Sequence, residues 1–265
     1  MASATEGTFP NGMPYLKLGQ GPPLVVAPGL TAEHKNPTGR WRKMSLAWCA
    51  PFAEHFTVYL LQRKPGLPPG TTLSDIAADY AEVIEQEIGA PVRVHGTSTG
   101  GSVAQQLAVD RPELVDRMVV AAAACRLSGR GRELTAELVR LTELGEDRSA
   151  MGLLAGTQVP RPFRPLAHGV GWVMGGFWAV DDPSDMVVTA TAELPLDLEK
   201  DLARVTAPTL VLGGTADVFY DLQDFRRTAE AIPDGRAVIF EGRSHMFVAG
   251  SKVPAAVGLG FLLGG

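Results

Sequence analysis

The sequence predicts an α/β protein with a doubly wound, mostly parallel sheet and an inserted helical cap. Short apolar runs recur along the chain and end at Gly or Pro, helical patterns separate them, and one long segment lacks any strand pattern. Apolar runs of this length are typical of strands buried on both faces of a parallel sheet, and their alternation with helices favours a doubly wound arrangement. The runs occupy residues 23–29, 56–62, 91–96, 116–124, 208–214 and 236–242.

The segments between these runs have helical periodicity. From Leu73 to Ile88 the apolar residues fall on one side of a predicted helix, and Gly89 follows at the position of a C-terminal cap. Residues 98–110 and 222–232 also predict helices, and the apolar tail from Val253 predicts a final packing helix. Most of the predicted strands are thus joined to the next by a helical segment, as a parallel sheet requires.

The segment from about residue 127 to 205 interrupts the alternation. It contains no clear strand and predicts several short helices broken by Gly and Pro. An insertion of this size between two strands indicates a cap. The sequence therefore predicts a first part of the α/β core at residues 1–126, a helical cap at 127–205 and a second part of the core at 206–265.

Composition and charge exclude several classes of function. The chain has 265 residues and a net charge of -5, which argues against nucleic acid as a partner because phosphate binding needs concentrated Lys and Arg. The two cysteines, Cys49 and Cys125, are expected to be reduced thiols in or near the core. No signal peptide or membrane span is recognisable, so we expect a cytoplasmic monomer or homodimer.

The most informative motif surrounds Ser98. Gly96-Thr97-Ser98-Thr99-Gly100 matches G-x-S-x-G, follows an apolar strand and opens a helix. In this context the serine occupies a sharp, strained turn, and small residues two positions on either side are needed to avoid a clash. A plain Gly-Ser loop is the alternative, but the strand before and the helix after favour a nucleophilic serine.

A nucleophilic serine of this kind needs hydrogen-bond donors for the developing oxyanion. The free N–H groups at a helix start stabilise negative charge, which makes the Thr99 N–H one candidate donor. The second should come from the loop after an earlier strand, and the Leu30 N–H in "APGLTAEH" is the best candidate. An ordinary strand-ending turn at Pro28-Gly29 is the alternative.

Serine also needs a base and an orienting carboxylate, expected later in the chain in the order Ser, acid, His. Asp217 directly follows a buried strand, and His245 follows the last one. Two neighbouring acids, Asp221 and Asp224, lie further from the strand end. The competing histidines are weaker candidates: His95 is expected in the core and hydrogen-bonded, His34 at the surface unless it touches substrate, and His55 and His168 have no evident partner.

These motifs together resemble the α/β-hydrolase fold superfamily. "HGTSTGGSVAQQLA" resembles its nucleophile elbow, "GGTADVFY" its acid loop and "GRSHM" its histidine loop, and the resemblance covers nearly the whole chain. Two departures occur: Pro28-Gly29 replaces a frequent His-Gly, and "QRKPGLPPG" replaces a frequent Asp-x-x-Gly type turn. The serine at the elbow argues against the dehalogenases and epoxide hydrolases of this fold, which use aspartate there.

The resemblance implies a serine hydrolase with the triad Ser98, His245 and Asp217. We expect a small-to-medium hydrophobic carboxylic ester or lactone as substrate, without metal or cofactor. The alternatives are a carbon–carbon bond hydrolase, a cofactor-free perhydrolase and, less favoured, a non-catalytic ligand-binding protein. Apolar residues predicted to line the substrate pocket, unless they merely join the cap to the core, are Trp172, Met174, Phe177, Trp178 and Phe219 with its neighbour Tyr220.

Overall fold

The computed structural model describes residues 4–157, 159, 161–175 and 182–264, with the backbone alone at Arg161, Met174 and Gly175. Within these residues, eight strands form one sheet. The strands are β1 (Thr5–Thr8), β2 (Pro14–Leu18), β3 (Pro23–Ala27), β4 (Thr57–Leu61), β5 (Val92–Thr97), β6 (Val115–Ala121), β7 (Thr209–Gly214) and β8 (Gly235–Phe240).

The strands are arranged in the order β1-β2-β4-β3-β5-β6-β7-β8. From β4 to β8 every neighbouring pair is parallel, whereas β1 and β2 add an antiparallel edge. The predicted doubly wound, mostly parallel sheet is therefore confirmed. The edge hairpin was not predicted, because β1 is short and polar, and β2 alternates buried and half-buried residues instead of forming a continuous apolar run.

Ten α-helices connect or follow these strands in the described part of the chain. They are α1 (Gly39–Ala53), α2 (Leu73–Val83), α3 (Thr99–Asp110), α4 (Gly129–Glu143), α5 (Asp147–Thr157), α6 (Arg164–Gly175), α7 (Ser184–Glu193), α8 (Leu222–Ala231), α9 (His245–Gly250) and α10 (Lys252–Leu263). The predicted helices appear, and Gly89 adopts a φ of +97° where the second one ends, after a π-helical turn at Ile84–Ile88. Helix α1 was not predicted, since its apolar residues form no clear stripe and Pro51 lies inside it.

Helices cover both faces of the sheet. On one face, α2, α3 and α8 bury residues such as Ile76, Leu107 and Phe225. On the other face, α1 and α10 bury Phe52 and Leu262. Both faces of the parallel strands are therefore shielded from water, which explains why these strands are continuously apolar.

Helices α4 to α7 lie between β6 and β7, in the segment predicted to form a cap. Leu138, Leu141 and Ala150 of α4 and α5 form a small buried cluster, and Leu30, from the loop after β3, packs against it. The cap segment therefore touches the loop in which an oxyanion donor is expected. The domain limits at 127 and 205 stay a prediction.

The cysteines and the helix lengths bear on the remaining expectations from the sequence. Cys49 and Cys125 are both buried and unpaired, as expected. Among the described residues, no helix combines the length and apolar character needed to cross a membrane. The cytoplasmic location and the monomeric or homodimeric state stay predictions.

Candidate active site

The carboxyl edge of the sheet brings together the loops singled out in the sequence. Ser98 follows β5, Asp217 follows β7, and His245 begins α9 after β8. The loop containing Gly29 and Leu30 follows β3, which pairs with β5 in parallel. Ligand and catalytic sites of open parallel sheets form at this edge, because the strand ends and helix starts meet there.

The backbone at Ser98 is strained in the way the G-x-S-x-G motif predicts. Ser98 has φ +51° and ψ -127°, a conformation that residues other than glycine rarely adopt. Its N–H donates to the carbonyl of Ala121 at 2.8 Å, and its own carbonyl accepts the N–H of Gly101 at 2.6 Å. Strand and helix thus hold the turn from both sides, and strain of this kind is concentrated at functional sites.

The glycines around Ser98 are required by close packing. A Cβ at Gly96 would lie 2.7 Å from the Cα of Gly101, and a Cβ at Gly100 would lie 2.5 Å from the carbonyl oxygen of Pro28. Neither approach is tolerable for a real side chain. The small residues therefore serve a tight strand-to-helix turn and not a flexible loop.

Three side chains form a continuous hydrogen-bonded chain. The Nε2 atom of His245 lies 3.0 Å from the Oγ atom of Ser98, and Nδ1 of the same ring lies 2.8 Å from Oδ2 of Asp217. A carboxylate can only accept, so Nδ1 carries the proton and Nε2 is left to accept the Ser98 hydroxyl. This is the arrangement in which a histidine can act as base toward a serine.

The Asp217 carboxylate is fully buried and held by its own loop. Its other oxygen, Oδ1, accepts the N–H groups of Phe219 at 2.8 Å and Tyr220 at 3.3 Å. The loop is also tied to the histidine loop, since the N–H of Ala216 donates to the carbonyl of Arg243 at 3.0 Å. The orientation of the carboxylate toward His245 is therefore set by backbone as well as side-chain contacts.

One predicted oxyanion donor, Thr99, follows Ser98 in the chain, and the other, Leu30, follows a residue that lies against Ser98. Thr99 is the first residue of α3, so its N–H is among those without a partner inside the helix. Gly29 lies against Ser98, because a Cβ placed on it would be 3.4 Å from Ser98 Cβ. The next residue is Leu30. The donor roles of Thr99 and Leu30 stay predictions.

The predicted pocket residues differ in their placement. The half-buried Phe219 ring meets the His245 ring edge to face, with 4.9 Å between ring centres. Trp172 is 43% exposed, and its ring lies under the Arg148 guanidinium at 4.9 Å. No contact among the described residues joins it to Ser98 or His245. The Met174 side chain, Phe177 and Trp178 lie outside the described residues.

Two buried histidines outside the hydrogen-bonded chain compare differently with expectation. His34, expected at the surface, is 2% exposed, and burial lowers its pKa to about 4, with the Arg63 guanidinium adding to the effect. His95 is buried in the core as expected, and its Nδ1 atom lies 3.5 Å from the Thr97 hydroxyl oxygen. Its Nε2 atom has no hydrogen-bond partner, and burial lowers the pKa of the ring to about 4. In both cases the neutral ring is the form that suits a site away from water.

Two buried charged residues, one bound to the loop after β3 and one bound to the start of α3, were not predicted from the sequence. Arg63 is fully buried after β4 and donates to the carbonyls of Pro28 and Gly29 at 3.0 and 2.8 Å. Glu193, at the end of α7, is 5% exposed and accepts the hydroxyl of Thr99 at 2.8 Å. A basic residue directly after a buried strand was the available signal for Arg63. Nothing local distinguishes Glu193 from a solvent-facing glutamate.

Three proteins illustrate what the chain is similar to. A Mycobacterium tuberculosis protein named "Putative non-heme bromoperoxidase BpoC" is 29% identical over 193 residues, which cover 67% of this chain and 70% of that protein. Its crystal structure matches with a TM-score of 0.74 at 24% identity, covering 94% of this chain and 95% of that one.

Two further crystal structures share the fold at lower identity. An enol-lactonase from Burkholderia xenovorans LB400 matches with a TM-score of 0.77 at 17% identity, covering 94% of this chain and 96% of that one. An esterase, EaEST, from Exiguobacterium antarcticum matches with a TM-score of 0.75 at 20% identity, covering 98% and 99%.

The sequence model of the Alpha/beta hydrolase family matches residues 24–257, a span that includes every strand from β4 to β8 and all three residues of the hydrogen-bonded chain. On that match and this fold, the chain belongs to the alpha/beta hydrolase family.

Proposed function

We propose that the protein is a serine hydrolase that cleaves small-to-medium hydrophobic carboxylic esters or lactones through an acyl-enzyme. The observation that carries the proposal is the uninterrupted chain from Ser98 Oγ to His245 Nε2 at 3.0 Å and from His245 Nδ1 to Asp217 Oδ2 at 2.8 Å. Family membership and the esterase and lactonase names among the structural neighbours support it.

In the acylation step, His245 Nε2 takes the hydroxyl proton as Ser98 Oγ attacks the ester carbonyl carbon. The carbonyl oxygen becomes an oxyanion, which the N–H groups of Leu30 and Thr99 bind. His245 then returns the proton to the alcohol oxygen, the carbon–oxygen bond breaks, and the acyl group stays on Ser98. Asp217 stabilises the imidazolium in both stages. For a lactone, the alcohol stays tethered to the acyl group.

Deacylation repeats the sequence with water. His245 removes a proton from a water molecule as the water oxygen attacks the acyl carbon, and the same N–H groups hold the second oxyanion. Collapse returns the Ser98 hydroxyl and releases the carboxylic acid. In both stages His245 Nε2 takes the proton from the nucleophile, first the Ser98 hydroxyl and then water. It delivers that proton to the oxygen that leaves.

The preference for apolar substrates rests on the surroundings of the triad. The Phe219 ring packs edge to face with the His245 ring, and Leu30 packs into the apolar cluster of Leu138, Leu141 and Ala150. Apolar walls with a few directed polar groups are typical of small-molecule sites. We therefore place the acyl or alcohol part of the substrate between the oxyanion loop and the cap.

The test is hydrolysis of p-nitrophenyl esters of increasing acyl length, and of five- and six-membered lactones, by the wild type and by Ser98→Ala. We expect turnover by the wild type and a loss of about 10⁴-fold or more in the variant. Ser74→Ala, at an exposed serine of α2, is the matched control and should keep wild-type turnover. The acyl length with the highest kcat/KM then measures the pocket.

A fluorophosphonate probe provides a second, independent readout. It should label the wild type once, at Ser98, and leave Ser98→Ala unlabelled. Ester turnover that survives in Ser98→Ala contradicts the assignment. A folded wild type that is neither labelled nor active on any ester or lactone supports the non-catalytic alternative instead.

The 29% identity to BpoC favours one second candidate, a perhydrolase on the same triad. Hydrogen peroxide would replace water in deacylation, so that the acyl group leaves Ser98 as a peracid, which can oxidise bromide. Monochlorodimedone bromination that needs acetate, peroxide and Ser98 would support this activity. If the wild type brominates no faster than the Ser98→Ala variant, the perhydrolase activity is excluded.

A further inference from the structure

Helix α7 carries three polar residues on one side. Asp185, Thr189 and Glu193 are spaced four residues apart, which places them above one another along one face of the helix. Thr189 is fully buried, Glu193 is 5% exposed, and the Asp185 side chain is 14% exposed. Buried polar groups need partners, so the contacts of this face identify what the helix holds.

Glu193 holds the elbow. Its carboxylate accepts hydroxyl groups from Thr99 at 2.8 Å, Ser102 at 2.7 Å and Tyr220 at 3.2 Å. Thr99 is the residue whose N–H is expected to bind the oxyanion. The Tyr220 ring lies nearly parallel to the His245 ring, with 6.2 Å between centres and 16° between planes. One carboxylate thus connects the helix to the elbow and to the catalytic ring.

The other two residues hold the loop that follows β4. Asp185 accepts the N–H groups of Leu67 at 2.8 Å and Gly66 at 3.2 Å. Thr189 lies 3.4 Å from Nε2 of His34. The same nitrogen accepts Nε of Arg63 at 3.1 Å, and the opposite ring nitrogen, Nδ1, donates to the carbonyl of Lys64 at 2.9 Å. The helix therefore fixes the segment that carries Arg63.

Arg63 in turn fixes a particular peptide unit. Its Nη2 atom donates to the carbonyl of Gly29 at 2.8 Å and to the hydroxyl of Thr31 at 3.0 Å, while Nη1 donates to the carbonyl of Pro28 at 3.0 Å. The Gly29 carbonyl belongs to the same planar peptide as the N–H of Leu30, and in a trans peptide the two bonds point in opposite directions. Holding that carbonyl toward Arg63 directs the Leu30 N–H away from it.

A buried cation on that carbonyl also affects the strength of the donor. Hydrogen bonding polarises the peptide group, and in a low-dielectric interior the polarised N–H binds an anion more strongly. Burial lowers the pKa of Arg63, while Tyr80, Glu193 and Asp185 oppose the shift, and the guanidinium stays charged. The Arg63 guanidinium therefore affects both the orientation and the polarity of the Leu30 N–H.

We propose that helix α7 orients both N–H donors of the oxyanion hole. Glu193 is the positioning residue for Thr99, and Arg63 is the positioning residue for the Leu30 N–H. Arg63 is itself held by α7, through Asp185 and through the contact of Thr189 with His34. The inference rests on the proposed function. It adds that the cap contributes to catalysis by orienting the backbone N–H groups of Leu30 and Thr99. None of these side chains touches the reacting atoms.

The experiment compares Arg63→Met, Glu193→Gln and Thr189→Val with two matched controls. Thr191→Val and Glu230→Gln change exposed residues of the same types, one on α7 and one on α8, and should behave as wild type. We expect kcat to fall by about 10²-fold, about tenfold and about threefold in the three variants, respectively, with KM within about twofold of wild type, because the lost stabilisation acts only in the transition state.

Inhibition by an aliphatic trifluoromethyl ketone separates this role from a merely structural one. The ketone forms a tetrahedral adduct with Ser98 whose oxyanion needs the same two N–H groups, so its Ki should rise by the same factor by which kcat falls. A general loss of stability would lower the active fraction and leave Ki unchanged. Wild-type kcat and Ki in folded Arg63→Met and Glu193→Gln would overturn the inference, as would a lowered kcat with unchanged Ki.

Folding is checked by circular dichroism before any kinetic comparison. If Arg63→Met does not fold, the kcat and Ki values of Glu193→Gln and Thr189→Val decide whether the inference holds. Failure of the proposed function is distinguishable, because the wild type itself would then be inactive and unlabelled by fluorophosphonate. That result would overturn this inference as well.

Discussion

Helices α6 and α7 follow one another in the chain, and they place their side chains in opposite ways. On α6, the apolar residues Leu166, Val170 and Val173 are 70%, 56% and 56% exposed. On α7, the polar residues Thr189 and Glu193 are 0% and 5% exposed. Helix α6 therefore exposes apolar side chains, whereas α7 buries polar side chains next to the buried Ala190 and Ala192.

The partners of the two helices explain the difference. Helix α6 packs on α5 through small residues, and a Cβ on Gly171 would lie 2.6 Å from the Cβ of Ala155. Helix α7 packs on the strand-end loops through carboxylates and hydroxyls. Hydrophobicity therefore does not identify which part of the segment between β6 and β7 is bound to the strand-end loops, whereas buried polar contacts do.

The largest expected effect concerns Asp217, in the loop after β7. Asp217→Asn keeps the shape of the side chain but favours the wrong histidine tautomer, so kcat should fall by about 10⁴-fold. The matched control is Asp221→Asn, which changes the neighbouring acid that caps α8, where asparagine caps equally well. Steady-state ester hydrolysis measures both. Equal losses in the two variants would contradict the assignment of the acid.

Two glycine substitutions compare the closely packed turn at Ser98 with the open face of α6. Gly100→Ala forces a methyl group onto the backbone of Ala27 and Pro28, and we expect a loss of about 3 kcal/mol or more in the free energy of unfolding. A Cβ at Gly169 meets nothing within 4 Å, so Gly169→Ala in α6 should raise that free energy by up to about 1 kcal/mol. Urea unfolding provides both values. A Gly100→Ala protein as stable as wild type would rule out the tight turn.

Acid should weaken the fold through the histidines that are buried as neutral rings. His34 faces Arg63, Thr189, Asp185 and the Lys64 carbonyl, and its pKa is lowered from 6.5 to about 4. The unfolded chain therefore binds the extra proton first. The contribution of the neutral ring is complete above pH 6.5, is lost as the pH falls toward 4, and amounts to about 3 kcal/mol.

His95 has the same lowered pKa and allows a controlled measurement. It lies among Trp48, Phe52 and Thr97, so His95→Leu removes one titrating ring without removing a charge partner. Urea unfolding between pH 7.5 and pH 4.5 should show a shallower decline for this variant than for the wild type. An identical decline would show that His95 titrates normally.

The smallest effect is expected on the exposed face of α6. Leu166→Gln should change the free energy of unfolding by less than about 0.5 kcal/mol, because the side chain is already 70% exposed. Leu141→Gln, at a leucine of α4 that is 6% exposed, is the matched control and should cost about 2 kcal/mol or more. Similar losses in the two variants would mean that α6 is covered in solution.

Much of the fold could be predicted from local patterns. The six parallel strands, the elbow around Ser98 and the order of Asp217 and His245 each depend on a few neighbouring residues, since apolar runs and glycine spacing reflect constraints on adjacent backbone. The edge strands β1 and β2 and helix α1 were missed because their sequences lack those patterns.

The sequence by itself determined which loops carry Ser98, Asp217 and His245, because each follows a recognisable apolar strand within a few residues. Only the tertiary structure decided what Arg63, His34 and Glu193 do. Glu193 and Thr99 are 94 residues apart, and His34 and Thr189 are 155 apart. Burial of a charge is decided by which distant hydroxyls and carbonyls surround it, and no local periodicity records that. The residues that we propose to orient the site thus become visible only when packing brings these partners together.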